Sequence, residues 1–273
     1  MLYENAQEAA RFIQEKSLLS PTIGIILGTG LSGLVHLMEE KITIPYDDIP
    51  HFPTSTVQSH KGQLVIGRLN GCPVLAMAGR FHYYEGYSMQ QVTFPVRVMK
   101  LLGIQTLLVS NAAGSIHAEM KAGDLILIKD HINLQPENPL RGPNDERFGP
   151  RFPDMMKTYD LKLRQQALAV AERLGIPLRE GIYVGLQGPN LETPAEYLYM
   201  HRIGGDLVGM STVPEIVVAR HMGLAVLAMS VVSNQCHPPE VIQETTVEQV
   251  IAVVEGVAPQ MQQIIGELIK EIS

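Results

Sequence analysis

Residues 23–33 read IGIILGTGLSG, an apolar run followed by a glycine loop, and the fold prediction starts from them. The first five residues are apolar and mostly β-branched, which predicts a buried strand. The next six match the pattern G-x-G-x-x-G, in which glycines let the backbone approach an anion closely. A helix-like run from Leu34 to Met38 follows. The stretch predicts an α/β protein whose loop suits a phosphate-like group, and a tight turn that binds nothing is the alternative.

The same glycine pattern is the fingerprint of a dinucleotide-binding fold, with Asp47 following Gly28 by about twenty residues, at the end of a second predicted strand. The next segment, residues 49–62, contains prolines that prevent the crossover helix this fold requires. Beyond it, Asn70-Gly71 predicts an antiparallel hairpin between the runs Gln63–Leu69 and Pro73–Ala78. An NAD-binding oxidoreductase is therefore kept only as an alternative.

The remaining apolar runs predict a mixed sheet flanked by helices. We predict further strands at Thr106–Val109, Asp124–Ile128, Gly181–Leu186, Asp206–Val208 and Ala225–Val231, and helices at Asn5–Lys16, Asp160–Leu174, Pro194–Ile203 and Val247–Ile272. Since no linker or repeat interrupts them, residues 1–273 are predicted to form one domain.

Composition argues against several functional classes. Lys plus Arg total 21 against 28 for Asp plus Glu, and the net charge of −7 disfavours nucleic acid and anionic membranes as partners. Cys72 and Cys236 lack the spacing of a zinc or redox site and are predicted to be reduced, buried thiols. No apolar run approaches the roughly 18 residues of a membrane span. We expect a soluble, cytoplasmic protein without a metal.

Two segments at predicted strand ends suit an anionic ligand. GRFHYYEGY (79–87) combines a guanidinium, an imidazole, phenols and a carboxylate. Arg80 offers a fork of donors to a phosphate, and His82 adds a donor or moves a proton; a solvated loop with aromatic anchors is the alternative. As a binding residue in a loop, Arg80 is expected to be replaceable with little effect on folding. NAAG (111–114) presents small residues that let a ligand contact the backbone.

Two polar residues further on have both a functional and a structural interpretation. Glu192 lies in QGPNLETP (187–194) just before a predicted helix, where it either binds a ligand or complements the helix dipole. Asn234 follows the apolar run Leu224–Val232, where strand ends of α/β sheets carry site residues; a turn-forming asparagine is the alternative.

Taken together, eight motifs in this order closely resemble the trimeric purine nucleoside phosphorylases. They are GTGLSGL (28–34), STVQSHKGQLVIG (55–67), GRFHYYEGY (79–87), NAAG (111–114), GPRFP (149–153), GPNLET (188–193), GMSTVPE (209–215) and SNQ (233–235). The resemblance implies a single-domain α/β fold around a twisted mixed sheet and a homotrimer. It also implies reversible phosphorolysis of 6-oxopurine ribo- and deoxyribonucleosides, such as inosine and guanosine. The products would be free base and pentose 1-phosphate, with phosphate as co-substrate and no cofactor.

The resemblance also implies residue roles. Phosphate would be held by Thr29, His60, Arg80, His82, Ala112 and Ser211, and the ribose by Tyr84 and Met210. The purine would be bound by Leu191, Glu192 and Asn234, and by Phe152 from a neighbouring subunit. Asn234, Glu192 and His82 would be the catalytic residues.

Two positions depart from the family. A histidine that often reaches the ribose 5′-hydroxyl is Val247 here, with His237 as a candidate substitute, and a phenylalanine often packed on the base is Leu191. A methylthioadenosine phosphorylase is the nearer alternative function, although its 6-amino base calls for an acidic residue in place of Asn234. A noncatalytic nucleotide-binding module is the other.

Overall fold

The computed structural model describes residues 1–54 and 62–273. In chain order the elements are α1 (Leu2–Gln14), β1 (Ile23–Leu27), β2 (Glu39–Pro45), β3 (Gln63–Leu69), β4 (Cys72–Ala78), α2 (Met89–Leu101), β5 (Thr106–Ser115), β6 (Leu125–Asn133), α3 (Leu161–Leu174), β7 (Leu178–Gly185), α4 (Pro194–Arg202), β8 (Leu207–Gly209), α5 (Val213–His221), β9 (Ala225–Gln235) and α6 (Val247–Ile272). Short 3₁₀ helices connect several of them.

The strands form one mixed sheet in the order β2-β3-β4-β1-β5-β8-β7-β6-β9. The last strand, β9, also pairs in parallel with β5, so that β5, β8, β7, β6 and β9 close into a ring. Strands β1, β4, β3 and β2 extend the sheet outward from β5. The prediction of a twisted mixed sheet flanked by helices is confirmed; the closure of the ring is a finding of the structure.

The core has two layers because the central strands are buried on both faces. In β1, Ile26 belongs to the apolar layer that includes residues of α1, α2 and α5, whereas Ile25 and Leu27 belong to the layer that includes residues of α3 and α6. All five residues of this strand are buried. A strand covered on both faces reads as a continuous apolar run rather than an alternating one, which is why the sequence already predicted it.

The dinucleotide-binding fold is contradicted by the topology. The strand after the glycine loop, β2, pairs antiparallel with β3 at the sheet edge and does not contact β1 as a parallel neighbour. Asp47 lies exposed in a single 3₁₀ turn, and the helix-like run after the loop is a 3₁₀ helix, Ser32–Leu37. The glycines allow close packing instead, since a Cβ at Gly28 would lie 2.7 Å from the Ser110 carbonyl oxygen.

Two helices were missed by the sequence patterns. The first, α2, contains Pro95, which normally interrupts a helix, yet Ser88 caps its start and the helix packs against α1 and α5. The second, α5, is buried on nearly every side and therefore has no polar face to produce an amphipathic pattern. Both helices can therefore be identified only from the tertiary structure.

The prediction that both cysteines are buried is confirmed for one of them and wrong for the other. Cys236 is buried, as expected, but Cys72 is partly exposed beside the C-terminus, where its Sγ lies 3.0 Å from Ser273 Oγ. Across the described ranges, no helix has the length and apolar character that crossing a membrane requires.

Candidate active site

One cavity of about 490 Å³ gathers most of the predicted site residues. Its lining includes Thr29, Arg80, His82, Tyr84, Ala112, Leu191, Glu192, Met210, Ser211 and Asn234. Two predicted residues are not among them. His60 lies outside the described residues, and Phe152 is 87% exposed, away from the cavity of its own chain.

Parallel pairing of three strands builds the floor of the cavity. Strand β1 lies beside β5 with Ile26 opposite Val109, and β9 lies on the other side of β5 with Val231 opposite Ala112. Because parallel strands end at the same edge, Thr29 after β1, Ala112 in β5 and Asn234 in β9 come together there. This convergence is the expected location for a site in an α/β sheet.

Arg80 is held in a buried network rather than in a solvated loop. Its Nη1 donates to Ser211 Oγ at 2.9 Å and to Thr212 Oγ1 at 3.2 Å. Its Nε lies 3.2 Å from the Glu215 carboxylate, and the two side chains are 1% and 3% exposed. The expectation that Arg80 can be removed with little effect on folding does not hold, because removal would leave the Glu215 carboxylate buried without its cation.

Thr212 forms a strained turn directly after Ser211. It has φ 72° and ψ −57°, and the Val213 N–H donates to the Ser211 carbonyl at 2.7 Å, which defines a γ-turn with positive φ. A threonine adopts this conformation only where its surroundings impose it. Here Asn111 Nδ2 donates to Thr212 Oγ1 at 2.9 Å, alongside Arg80. The turn therefore fixes the position of Ser211 at the cavity wall.

Sequence reasoning missed Thr212, Glu215 and Asn111. The signal available was the string GMSTVPE, in which polar side chains stand next to a proline that begins a helix. Their partnership with Arg80 could not be derived from spacing, because they lie far from it in the chain.

His82 is oriented by a carboxylate three residues later. Glu85 Oε1 accepts from the His82 backbone N–H at 2.7 Å and from the ring Nδ1 at 3.0 Å. The ring stacks on Tyr84, with centroids 4.6 Å apart and planes 14° apart. Burial raises the pKa of Tyr84 to about 12, so its hydroxyl keeps its proton at neutral pH. His82 and Tyr84 line the cavity, and Glu85 holds the His82 ring from behind.

The cap of α4 is Thr193, as predicted, so Glu192 does not cap the helix. Thr193 Oγ1 accepts from the Glu196 N–H at 3.3 Å, and Glu196 Oε2 accepts from the Thr193 N–H at 2.7 Å. Burial raises the pKa of the Glu192 carboxyl, and hydrogen bonding from its own backbone and from Tyr197 opposes the shift. A partly buried carboxylate that does not cap the helix is a candidate ligand-binding group.

Asn234 lies inside β9, which excludes a turn-forming role. Its Oδ1 accepts from Ser233 Oγ at 2.7 Å, and its Nδ2 donates to Cys236 Sγ at 3.1 Å. Sequence reasoning did not place Tyr197 or Cys236 near the site, although Tyr197 lines the same cavity.

The start of α6 forms a largely apolar part of the wall. Val247 and Val250 line the cavity together with Thr245 and Thr246. His237, the candidate substitute for the family histidine, instead stacks on His201 with ring centroids 4.1 Å apart and does not line the cavity. The structure therefore does not bring His237 to the cavity wall.

The cavity thus combines two clusters of opposite chemistry. The donor cluster consists of Thr29, Arg80, His82 and Ser211, and it suits an anion. The acceptor-and-amide cluster consists of Glu192 and Asn234, and it suits a planar group with both donors and acceptors at its edge. Among residues 1–54 and 62–273, no group of three His, Cys, Asp or Glu side chains is arranged to hold a metal ion.

Comparisons with known proteins agree with this geometry. The sequence model of the phosphorylase superfamily matches residues 22–270. Purine nucleoside phosphorylase 1 of Geobacillus stearothermophilus is 56% identical, over 84% of this chain and 83% of that protein. Purine nucleoside phosphorylase of Rattus norvegicus is 44% identical, over 99% and 96%. The structure of Schistosoma mansoni purine nucleoside phosphorylase in complex with inosine superposes with a TM-score of 0.94 at 44% identity, covering 99% of this chain and 97% of that one.

These findings decide between the alternatives left open by the sequence. The relatives are purine nucleoside phosphorylases, which contradicts the methylthioadenosine phosphorylase and noncatalytic alternatives, and the topology contradicts the oxidoreductase. The resemblance inferred from the eight motifs is confirmed. The chain therefore belongs to the phosphorylase superfamily, as a member of its purine nucleoside phosphorylases.

Proposed function

We propose that this protein catalyses the reversible phosphorolysis of 6-oxopurine ribo- and deoxyribonucleosides, including inosine and guanosine. The products are the free base and ribose or deoxyribose 1-phosphate. The observation that carries the proposal is the single cavity in which the donor cluster and the Glu192–Asn234 pair face one substrate. Phosphate is the co-substrate, and the absence of a cofactor stays a prediction.

The donor cluster binds the attacking phosphate. Arg80 supplies positive charge, Thr29 and Ser211 supply hydroxyls, and His82 supplies a ring nitrogen whose orientation Glu85 fixes. The Ala112 amide and, from the segment outside the described residues, His60 complete the proposed phosphate set. Donors that are already fixed in place stabilise an anion without reorganising as the reaction proceeds.

Bond cleavage separates charge across the cavity. As the bond from the anomeric carbon to the purine nitrogen stretches, positive charge grows on the sugar beside the phosphate, and the bonding electrons move onto the purine. Asn234 donates to the O6/N7 edge, where that negative charge accumulates, and Glu192 accepts from N1–H. Losing one such donor typically lowers kcat by roughly 10²–10³. Tyr84 and Met210 border the ribose. A phosphate oxygen bonds to the anomeric carbon as the bond to the purine breaks, and the departing purine anion takes up the proton that the hydrogen phosphate loses.

The same two residues explain a preference for 6-oxopurines. A 6-oxopurine offers N1–H to the Glu192 carboxylate and accepts at O6 from the Asn234 amide. Adenine reverses both positions, presenting a lone pair to the carboxylate and an amino group to the donor. A site built around a substrate N–H rejects the mismatched analogue by roughly 10⁴–10⁵.

We propose that the active enzyme is a homotrimer in which Phe152 completes the neighbouring site. Phe152 is 87% exposed and Met156, four residues later, is 81% exposed, so this segment exposes two large apolar side chains. Apolar groups exposed together favour a protein contact. We also propose one domain for residues 1–273, since the nine strands found in residues 1–54 and 62–273 share one sheet. The cytoplasmic location stays a prediction.

The test is base release from inosine with and without inorganic phosphate. We expect release that depends on phosphate and yields ribose 1-phosphate; equal release after phosphate is rigorously removed would indicate a hydrolase and overturn the proposal. Adenosine is compared by kcat/KM rather than by binding, because the Schistosoma mansoni enzyme has been solved in complex with adenosine. Similar kcat/KM for adenosine and inosine would reject the roles given to Glu192 and Asn234.

A further inference from the structure

A second cavity, of about 470 Å³, lies apart from the candidate active site. It is bounded by α1, by α2, by the segment 139–148 that follows β6, and by the last residue of α5. Within the described part of the chain, the two cavities share no lining residue. A ligand in the second cavity would therefore be separate from the nucleoside and its phosphate.

Arg97, on α2, is a buried charge that lines this cavity. The residue is 4% exposed, and its Nε and Nη1 are buried without a hydrogen-bond partner among residues 1–54 and 62–273. Burial lowers the pKa of Arg97 to about 10, so the guanidinium is still charged at neutral pH. Buried charges in proteins are normally paired, because an unpaired one has given up its hydration without compensation. The guanidinium therefore has donors left for a group of opposite charge.

Packing holds the Arg97 guanidinium in place. Its Cζ lies 4.5 Å from the centroid of the Phe148 ring, and that ring is buried against Tyr3 with centroids 5.0 Å apart. Stacking of this kind covers one face of the guanidinium and leaves the N–H groups at its edge. A donor group that is already immobilised loses little side-chain entropy when a ligand binds.

The nearby carboxylates do not neutralise Arg97. The charged lining consists of Arg97, Arg141, Arg147, Asp145 and Glu146. Both oxygens of Asp145 accept from Arg147, at 2.8 Å from Nε and 2.5 Å from Nη2, and Arg147 Nη1 also donates to Glu4 at 2.8 Å. With Asp145 and Arg147 paired, Arg97 and Arg141 remain against Glu146. The rest of the lining is thus positive, although the chain as a whole carries a net charge of −7.

We propose that the Arg97 cavity binds a small anion through a carboxylate or a tetrahedral oxyanion group such as phosphate. Both groups present two oxygens at the spacing of the guanidinium N–H fork. Apolar side chains in the same wall, Leu2, Pro139 and Leu140, suit the short hydrocarbon part of such a ligand. The proposal uses no residue of the candidate active site, so its failure would leave the proposed function untouched.

The first experiment measures thermal unfolding in sodium sulfate, sodium malonate and sodium chloride at equal ionic strength. The variant is Arg97→Met, and the matched control is Arg173→Met, at an exposed arginine paired with Glu271. Sulfate and malonate at several times their dissociation constants should raise the midpoint of the wild type and of Arg173→Met by about 2–4 °C more than that of Arg97→Met. General salt effects and binding at the active site are common to all three proteins and cancel in this difference. If neither anion shows the difference, the proposal is overturned.

The two anions also separate the sources of the ligand. A difference with malonate alone supports a carboxylate ligand, and one with sulfate alone supports a phosphate or sulfate group. In chloride, Arg97→Met should unfold at the wild-type midpoint or above it, because it removes an unpaired buried charge. A large fall in that midpoint would show that the folded chain already pairs Arg97, and it would contradict the proposal.

The second experiment locates the anion. Wild-type crystals soaked in malonate, or in selenate as an anomalously scattering analogue of sulfate, should show the anion with an oxygen at hydrogen-bond distance from the Arg97 guanidinium. Stabilisation without density beside Arg97 overturns the proposal. Density there without the difference in thermal midpoint indicates an adventitious ion only and overturns it too. The KM values of Arg97→Met for inosine and phosphate should equal those of the wild type, since the cavities are separate; a changed phosphate KM would contradict an independent site.

Discussion

Removing the Arg80 guanidinium should damage stability and phosphate binding through separate causes. Arg80 and Glu215 are 3.2 Å apart with both side chains almost fully buried. Breaking one partner of such a pair costs about 3–5 kcal/mol, because the remaining charge has no cation and no water. A charge-assisted hydrogen bond to phosphate contributes roughly 1.5–3 kcal/mol, which corresponds to a rise in the phosphate KM of roughly 10- to 150-fold.

A double variant distinguishes these effects. Arg80→Met should lower the free energy of unfolding by the amount given for the buried pair, measured by chemical denaturation. Arg80→Met combined with Glu215→Leu removes both charges and fills the space with apolar side chains, so most of the lost stability should return. The phosphate KM should stay raised in the double variant, while the KM for inosine changes much less.

The refuting result is a double variant that is stable and has an unchanged phosphate KM. Arg80 would then be a structural residue that positions Ser211 and Thr212, and phosphate would be held by the other donors. Equal increases in the two KM values would also contradict the assignment, because they would indicate a general distortion of the cavity.

Further predictions concern the sugar, the neighbouring subunit and pH. Val247→His should raise kcat/KM for inosine roughly 2- to 10-fold through a hydrogen bond to the 5′-hydroxyl. It should leave kcat/KM for 5′-deoxyinosine unchanged, and equal gains for both nucleosides would exclude that bond. Phe152→Ala should lower kcat/KM for nucleoside with little change in thermal stability, since the ring is 87% exposed in its own chain; wild-type kinetics would remove Phe152 from the site. Because burial raises the pKa of Glu192, kcat/KM for inosine should fall on the acid side at a pH above the usual glutamate range. Glu192→Gln should abolish this acid limb of the pH profile. An unchanged acid limb would show that another group titrates.

Local patterns in the sequence predicted much of the fold because they report local physics. The hairpin between β3 and β4 follows from Asn70-Gly71, whose φ angles of 52° and 82° are both positive, as the tight turn requires. The start of α4 follows from Thr193 and Pro194, which cap and preorganise a first turn. The helix Val247–Ile272 was predicted with its observed bounds, from an apolar stripe that repeats at helical spacing.

The same patterns could not predict elements whose stability comes from their surroundings. A proline inside α2 and the almost complete burial of α5 both remove the periodic signal on which helix prediction depends. Closure of the sheet through β5 and β9 is equally invisible, since no residue in either strand specifies its partner. Pairing across such distances is decided by how the whole chain packs.

At the site, the sequence determined which chemical groups are available, and the tertiary structure decided what each of them meets. The strings around Arg80, Glu192 and Asn234 already supplied a cation, a carboxylate and an amide at strand ends. Only the folded chain pairs Arg80 with Glu215 and places Cys236 Sγ 3.1 Å from Asn234 Nδ2. Arg80 and Glu215 are far apart in the sequence, and an ion pair depends on distance in space rather than on separation along the chain.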